Sequence, residues 1–134
     1  MIRLCHQQAG LPLGDIKYVE AHATGTPVGD LIELEALGAV YKDSHDLETN
    51  PLRIGSVKGN LGHAEISAGL FSLIKAIEMI HRRKFLPTGG VNIRPRSDFD
   101  WDGSNMRLCL ESESFPPESG VCISVNSFGV RVFK

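Results

Sequence analysis

No run of apolar residues in this sequence approaches the roughly 20 needed to span a bilayer, so a membrane-spanning helix is excluded. The opening, MIRLCHQQAG, lacks the apolar stretch of a secretory signal. Basic residues are not in excess: 14 Lys and Arg stand against 16 Asp and Glu, for a net charge of −2 at pH 7. There is thus no electrostatic footprint for nucleic acid and no polybasic patch for a membrane surface. Cysteine is scarce. Cys5, Cys109 and Cys122 are odd in number and far apart, with no CxxC pair. They fit reduced thiols of an intracellular, cytoplasmic protein, and no zinc site or disulfide framework is expected. The glycine-rich stretch GSVKGNLGH matches neither GxxxxGK nor GxGxxG, which argues against a nucleotide loop. GxSxG is absent, and neither Cys5 nor Cys109 lies in a basic or Gly-rich turn of the kind that activates a thiol. No repeat, low-complexity tract or linker divides the 134 residues, a length that suits one domain or part of one.

What is present is a globular composition, 42% apolar and 22% charged. Met1–Ala9 reads as the end of a helix stopped by Gly10 and Pro12. Ile16–Ala21 reads as a strand, followed by the turn cluster TGTPVGD. Asp30 is placed to cap a helix that has Glu33 in its first turn and runs to about Tyr41. Arg53–Val57 reads as a second strand. From Ala64 to about Arg83, Ile66, Leu70, Leu73, Ile74, Ile77 and Ile80 recur at helical spacing. Ser67, Ser72, Lys75, Glu78 and Arg82 fill the other side. Ala64, Ser67, Ala68 and Gly69 let the first turns approach another backbone closely. Lys84–Asn105 is long and aperiodic, as functional or surface-wrapping loops often are. Met106–Leu110 and Val121–Phe128 read as closing strands joined by a hairpin-like ESFPPESG. VCISVNSF is nearly continuous in apolar and small residues, the mark of a strand buried on both faces. The order helix–β–α–β–α–β–β implies a layered α/β fold with a mixed sheet.

Two histidines stand where predicted strands give way to Gly-rich loops: His22 in YVEAHATGT and His63 in RIGSVKGNLGHAE. Either alone is as readily a structural histidine. Together they point to one sheet edge, where strand ends converge on a site. Two neutral imidazoles there can donate Nε2–H bonds to a single developing oxyanion. Lys58 is either a solvated lysine or a charge that orients an imidazole or pairs with Glu65. Glu65 is otherwise an ordinary acid of a first helical turn. Thr24 and Thr26 are either turn residues or partners for a ligand's amides. Phe128 reads on pattern as core. His6, His45 and His81 fall on predicted surfaces and are assigned nothing.

The blocks VEAHATGTPVGDLIELEAL, GSVKGNLGHAEISAGLFSLIKA and SVNSFG resemble, in order and spacing, the C-terminal half of a β-ketoacyl synthase. The wording is closest to type I polyketide synthases, fungal ones in particular. The resemblance implies the C-terminal half of a thiolase-like fold, two similar α/β halves stacked in layers and usually dimeric. It implies decarboxylative Claisen condensation in polyketide or fatty-acid synthesis. His22 and His63 would bind the malonyl thioester carbonyl and stabilise its enolate. Lys58 and Glu65 would form a supporting pair beside His63. Thr24 and Thr26 would contact the phosphopantetheine arm of a malonyl-loaded acyl carrier protein, with no cofactor held directly. Phe128 would gate the acyl pocket.

Three departures accompany the resemblance. The family's nucleophilic cysteine, in a motif like DTACSSS, has no counterpart here. Ala23 stands where the family has Gly, placing a methyl group at a turn that glycine leaves free to take a positive φ. After Gly129 the sequence leaves the family's Gly-rich FGGTN turn. Residues 1–134 are therefore expected to be a partial ketosynthase domain, shortened at both ends and unable to condense alone. The partners expected are the carrier protein, an N-terminal ketosynthase half and further copies of the chain. The competing expectation is a non-catalytic remnant or interaction module. Either way, the strand near Ile123 and the small-residue face of the Ala64 helix are expected to lack cover, with self-association as the result.

Overall fold

The computed structural model describes residues 1–90, 93–117 and 120–129. Helix α1 (Ile2–Ala9) ends on Gly10, whose left-handed φ of 65° lets the chain turn back on the last carbonyls. Strand β1 (Ile16–Glu20) leads through a turn into α2 (Pro27–Tyr41), and β2 (Leu52–Gly55) leads into the single helical turn α3 (Lys58–Leu61). A 3-10 turn at Glu65–Ser67 opens α4 (Ala68–Arg82). The remaining strands are β3 (Lys84–Phe85), β4 (Met106–Leu108), β5 (Glu113–Ser114) and β6 (Cys122–Val125). Helix α2 starts on Pro27 rather than at Asp30, because a proline at the first helical position has no N–H to leave unpaired.

The main sheet has the order β4-β2-β1-β6, and all three pairings are parallel. The only antiparallel ladder among the described residues is the small ribbon β3–β5. The connection through ESFPPESG is thus no hairpin, since β4 and β6 lie on opposite edges of the sheet. Helix α2 covers one face, where Leu34, Leu37 and Tyr41 pack with Val19, Leu52, Ile54 and Met106. The other face holds Tyr18, Ala76, Met79, Phe85, Cys109 and Phe115. Ile16 and Val19 join the first cluster and Tyr18 the second, with the register between β1 and β6 slipping between Ile16 and Tyr18. Strand β6 is only half-buried, as expected of a strand without its cover.

Helix α4 lies on the sheet with the opposite side to its apolar stripe. Ala68, Ser72, Lys75, Ala76 and Met79 are buried. Ile66, Leu70, Leu73, Ile74, Ile77 and Ile80 are exposed, Ile66 completely. Of the small residues that open the helix, Ala68 is covered, Ala64 and Gly69 are half-buried and Ser67 is exposed, while the large apolar residues are left bare. Small side chains let the helix approach the sheet, and Lys75 finds an acid beneath it. His45 is likewise buried, its Nδ1 at 3.0 Å from the Tyr41 carbonyl and its Nε2 at 2.8 Å from that of Ile16. No helix among the described residues is long and apolar enough to cross a membrane.

Candidate active site

The C-terminal ends of β1, β2 and β6 lie side by side, and each feeds one part of the site. His22 follows β1 in a turn shaped by α2. The Glu33 carboxylate accepts the His22 N–H at 2.9 Å and the Ala23 N–H at 2.8 Å. It also accepts from the Asn126 side-chain amide, just beyond β6, at 3.0 Å. One turn earlier on the same helix, Asp30 accepts the Gly25 N–H at 3.2 Å. Ala23 adopts φ 27° and Gly25 φ 85°. The position where the sequence carries a methyl group in place of glycine is thus one of positive φ, and Ala23 is strained there.

His63 reaches the same place from β2, by way of α3 and Gly62. The two imidazoles stand edge to face, centroids 5.7 Å apart and planes at 90°. Each ring is fixed at Nδ1 by a backbone amide: Phe128 N–H donates to His22 at 3.3 Å and Glu65 N–H to His63 at 3.1 Å. An amide can only donate, so each Nδ1 must be an acceptor and each neutral ring carries its proton on Nε2. The result is a pair of Nε2–H donors. Burial lowers the His22 pKa from its ordinary value of 6.5, and Lys58 and His63 lower it further against the pull of Glu33 and Asp30. His22 is accordingly neutral at pH 7.

Lys58 is buried, and its amine has no hydrogen-bond partner among the described residues. Burial lowers its pKa, while Glu20, Glu33 and Asp30 act to raise it. Lys58 lines a largely apolar cavity of about 310 Å³ together with Thr24, Glu33, Ile54, Thr88 and Trp101. The expected Lys58–Glu65 pair is absent among the described residues. Glu65 is exposed and meets His63 through its backbone, with φ 46°. The Gly62 turn lies between the two residues, and Glu65 opens the next helix facing water. Thr24 lines the cavity, while Thr26 is exposed at the start of α2. Phe128 is 55% exposed with its ring 5.0 Å from His22, beside the site and not in the core. The divergent tail beyond Gly129 lies outside the described residues. Cys109 is buried between carbonyls, and burial pushes its thiol pKa up to about 11, the reverse of an activated nucleophile.

Several residues of the site escape sequence reasoning. Glu33 reads as an ordinary acid of a first turn, Asn126 as part of a strand, and Lys75 as solvated. Only the spacing of Asp30 and Glu33, which places both on one face of a helix, hinted at a joint task.

Residues 1–92 match the family model of the β-ketoacyl synthase C-terminal domain. A highly reducing polyketide synthase of Emericella nidulans is 42% identical over 132 residues, covering 96% of this chain but 5% of the relative. A probable polyketide synthase of Dictyostelium discoideum is 39% identical over 129 residues, covering 96% of this chain and 4% of the relative. The chain thus spans about a twentieth of the length of these curated relatives. Among solved structures, ketosynthase twelve of the bacillaene polyketide synthase of Bacillus amyloliquefaciens superposes with a TM-score of 0.85 at 34% identity, covering 96% of this chain and 23% of that one. An oxazolomycin ketosynthase domain of Streptomyces albus gives 0.83 at 31% identity, covering 96% and 34%. The match in sequence, the parallel sheet and the convergence of the motifs on one edge lead to the same conclusion: the chain belongs to the β-ketoacyl synthase family, as the C-terminal half of a polyketide-synthase ketosynthase with a thiolase-like α/β fold.

Proposed function

We propose that this chain supplies the two-histidine part of a decarboxylative Claisen condensation site and does not condense alone. The observation that carries this reading is the pair of imidazoles, each held at Nδ1 so that Nε2 donates. In the reaction the bond between the malonyl α-carbon and its carboxylate breaks, and CO₂ leaves. The electron pair moves onto the thioester oxygen as an enolate. Two Nε2–H donors at that oxygen favour the transition state over the ground state, because charge develops there only as the bond breaks. The enolate carbon then attacks an acyl thioester, and the cysteine thiolate that held the acyl group departs. That cysteine belongs to an N-terminal half.

The remaining roles follow the same reading. The cationic Lys58 helps to keep His22 neutral. The Glu65 backbone fixes the His63 tautomer. Thr24 and Thr26 meet the phosphopantetheine arm of a malonyl-loaded acyl carrier protein, and Phe128 gates the acyl side. The test is CO₂ release from malonyl-pantetheine or malonyl carrier protein by this chain, with and without a cysteine-bearing N-terminal half. The mixture should condense and the chain alone should not. His22→Ala or His63→Ala should each lower decarboxylation by about 10²–10³-fold, the usual cost of one oxyanion donor. Unaided condensation by the chain, or decarboxylation unchanged in both variants, would overturn the reading.

The bare apolar face of α4 favours a second reading, a non-catalytic module that binds a partner there. Decarboxylation that depends on both histidines counts against it.

A further inference from the structure

Beneath the two histidine loops lies a buried polar network that neither loop contains. Glu20, the last residue of β1, is completely buried. One carboxylate oxygen accepts the Val57 N–H, in the turn that precedes Lys58. The other lies 3.1 Å from Lys75 Nζ, which rises from the middle of α4. Tyr18 Oη completes the triangle, accepting from Lys75 at 2.9 Å and donating to Glu20 at 3.2 Å. Burial and the nearby Glu20 raise the Tyr18 pKa well above its ordinary value, so the hydroxyl keeps its proton. The backbone carbonyl of Glu20 also accepts from Asn126, at the end of β6.

A charge pair this deep is a weak source of stability, since desolvation cancels much of the attraction. Apolar residues of similar volume would hold a helix on a sheet as well. What they would lack is an acceptor for Val57. His22 lies two residues beyond Glu20, and the His63 loop begins at Val57, so this one carboxylate ties the end of β1 to the start of the His63 loop, beside the backbone bond from Ala21 N–H to the Gly55 carbonyl. Resting on the two-histidine reading above, we propose that Glu20 is a positioning residue for the imidazole pair and that Lys75 and Tyr18 hold its carboxylate on the Val57 N–H.

The test uses the full chain with ¹⁵N-labelled histidine. Spectra of the side chains report the tautomer and environment of each ring without any substrate. Lys75→Met alone should strand the carboxylate and lower the melting temperature by roughly 10–20 °C. Lys75→Arg should preserve both stability and the imidazole signals. Two double variants decide the matter, because both remove the charge pair and they differ in their acceptor for Val57. Glu20→Gln/Lys75→Met keeps an oxygen for that N–H and should retain the native Nε2–H signals of both rings. Glu20→Met/Lys75→Met should move those signals toward the mixed tautomers of a free imidazole at a comparable melting temperature. Identical imidazole spectra from the two doubles would overturn the proposal. Should the Met/Met variant fail to fold, the Val57 amide of the unaltered chain decides. A downfield, slowly exchanging proton supports the proposal, and exchange as fast as in an exposed turn overturns it. Because these signals need no activity, a chain that proves not to decarboxylate still tests the positioning role. Conversely, histidine-dependent decarboxylation with full kcat in the Met/Met variant would refute the positioning role alone.

Discussion

At the scale of single residues, the site combines two strained or unsatisfied positions with two well-held rings. Ala23 occupies φ 27°, a region that costs an L-residue about 1–2 kcal/mol. Glycine recovers part of that and loses part to unfolded-state entropy. Ala23→Gly should therefore raise stability by about 0.5–1 kcal/mol, read from denaturant unfolding. Lys58 buries an amine without a partner, a defect that costs about 1–3 kcal/mol. Lys58→Met should raise stability at pH 7 by about 1 kcal/mol in the same assay and, on the proposed function, lower decarboxylation. His22 adds a pH dependence. Its folded pKa lies below 6.5, so between those two values the unfolded chain binds more protons. Stability from this group is therefore complete above 6.5 and falls as pH drops through that window. His22→Gln should flatten that slope in unfolding curves taken across it.

At the scale of elements, α4 has two helical stripes, one apolar and one of small residues with a lysine. Periodicity marked the helix but did not say which stripe meets the sheet, because both repeat every three to four residues. In the fold the Lys75 side lies inward, where its amine meets the buried Glu20 carboxylate. Two substitutions separate the stripes. Met79→Ala, in the buried side, should cost about 2–5 kcal/mol. Ile77→Glu, on the bare side, should change stability by no more than about 0.5 kcal/mol and make the chain more soluble. Both are read from chemical unfolding and from solubility at matched concentration. The β4–β6 separation has a similar origin. ESFPPESG looked like a hairpin because sequence shows only that two strands are near in the chain. In a parallel sheet, successive strands need not be neighbours.

At the scale of the molecule, a parallel sheet with one helix face bare is an unfinished layer. The residues exposed on α4 are of the size and kind that fill interiors, and β6 is half-covered where a strand of its composition is normally enclosed. The chain covers only 23–34% of the two ketosynthase chains it was superposed on. Sedimentation of the isolated chain should show species larger than a monomer that bind a dye for apolar surface. An added N-terminal ketosynthase half should convert them to a defined complex with reduced dye binding. A monomer that binds no dye would contradict this.

Sequence alone determined the family, the main helices and longer strands, and the place of both histidines after strand ends, because each is written in a short contiguous block; the short elements α3, β3 and β5 carried no such mark. Residue type and local spacing are enough to show where strands end and loops begin. Only the tertiary structure decided that the rings stand edge to face and that Glu33 builds the His22 turn. It also showed that Glu65 meets His63 through its backbone and that Lys75 lies inside. These are contacts between residues distant along the chain, and the choice among them depends on which side chains find partners when water is removed. A lone charged residue carries no mark of its eventual partner, so Lys75 reads the same in the sequence whether it ends in solvent or on Glu20.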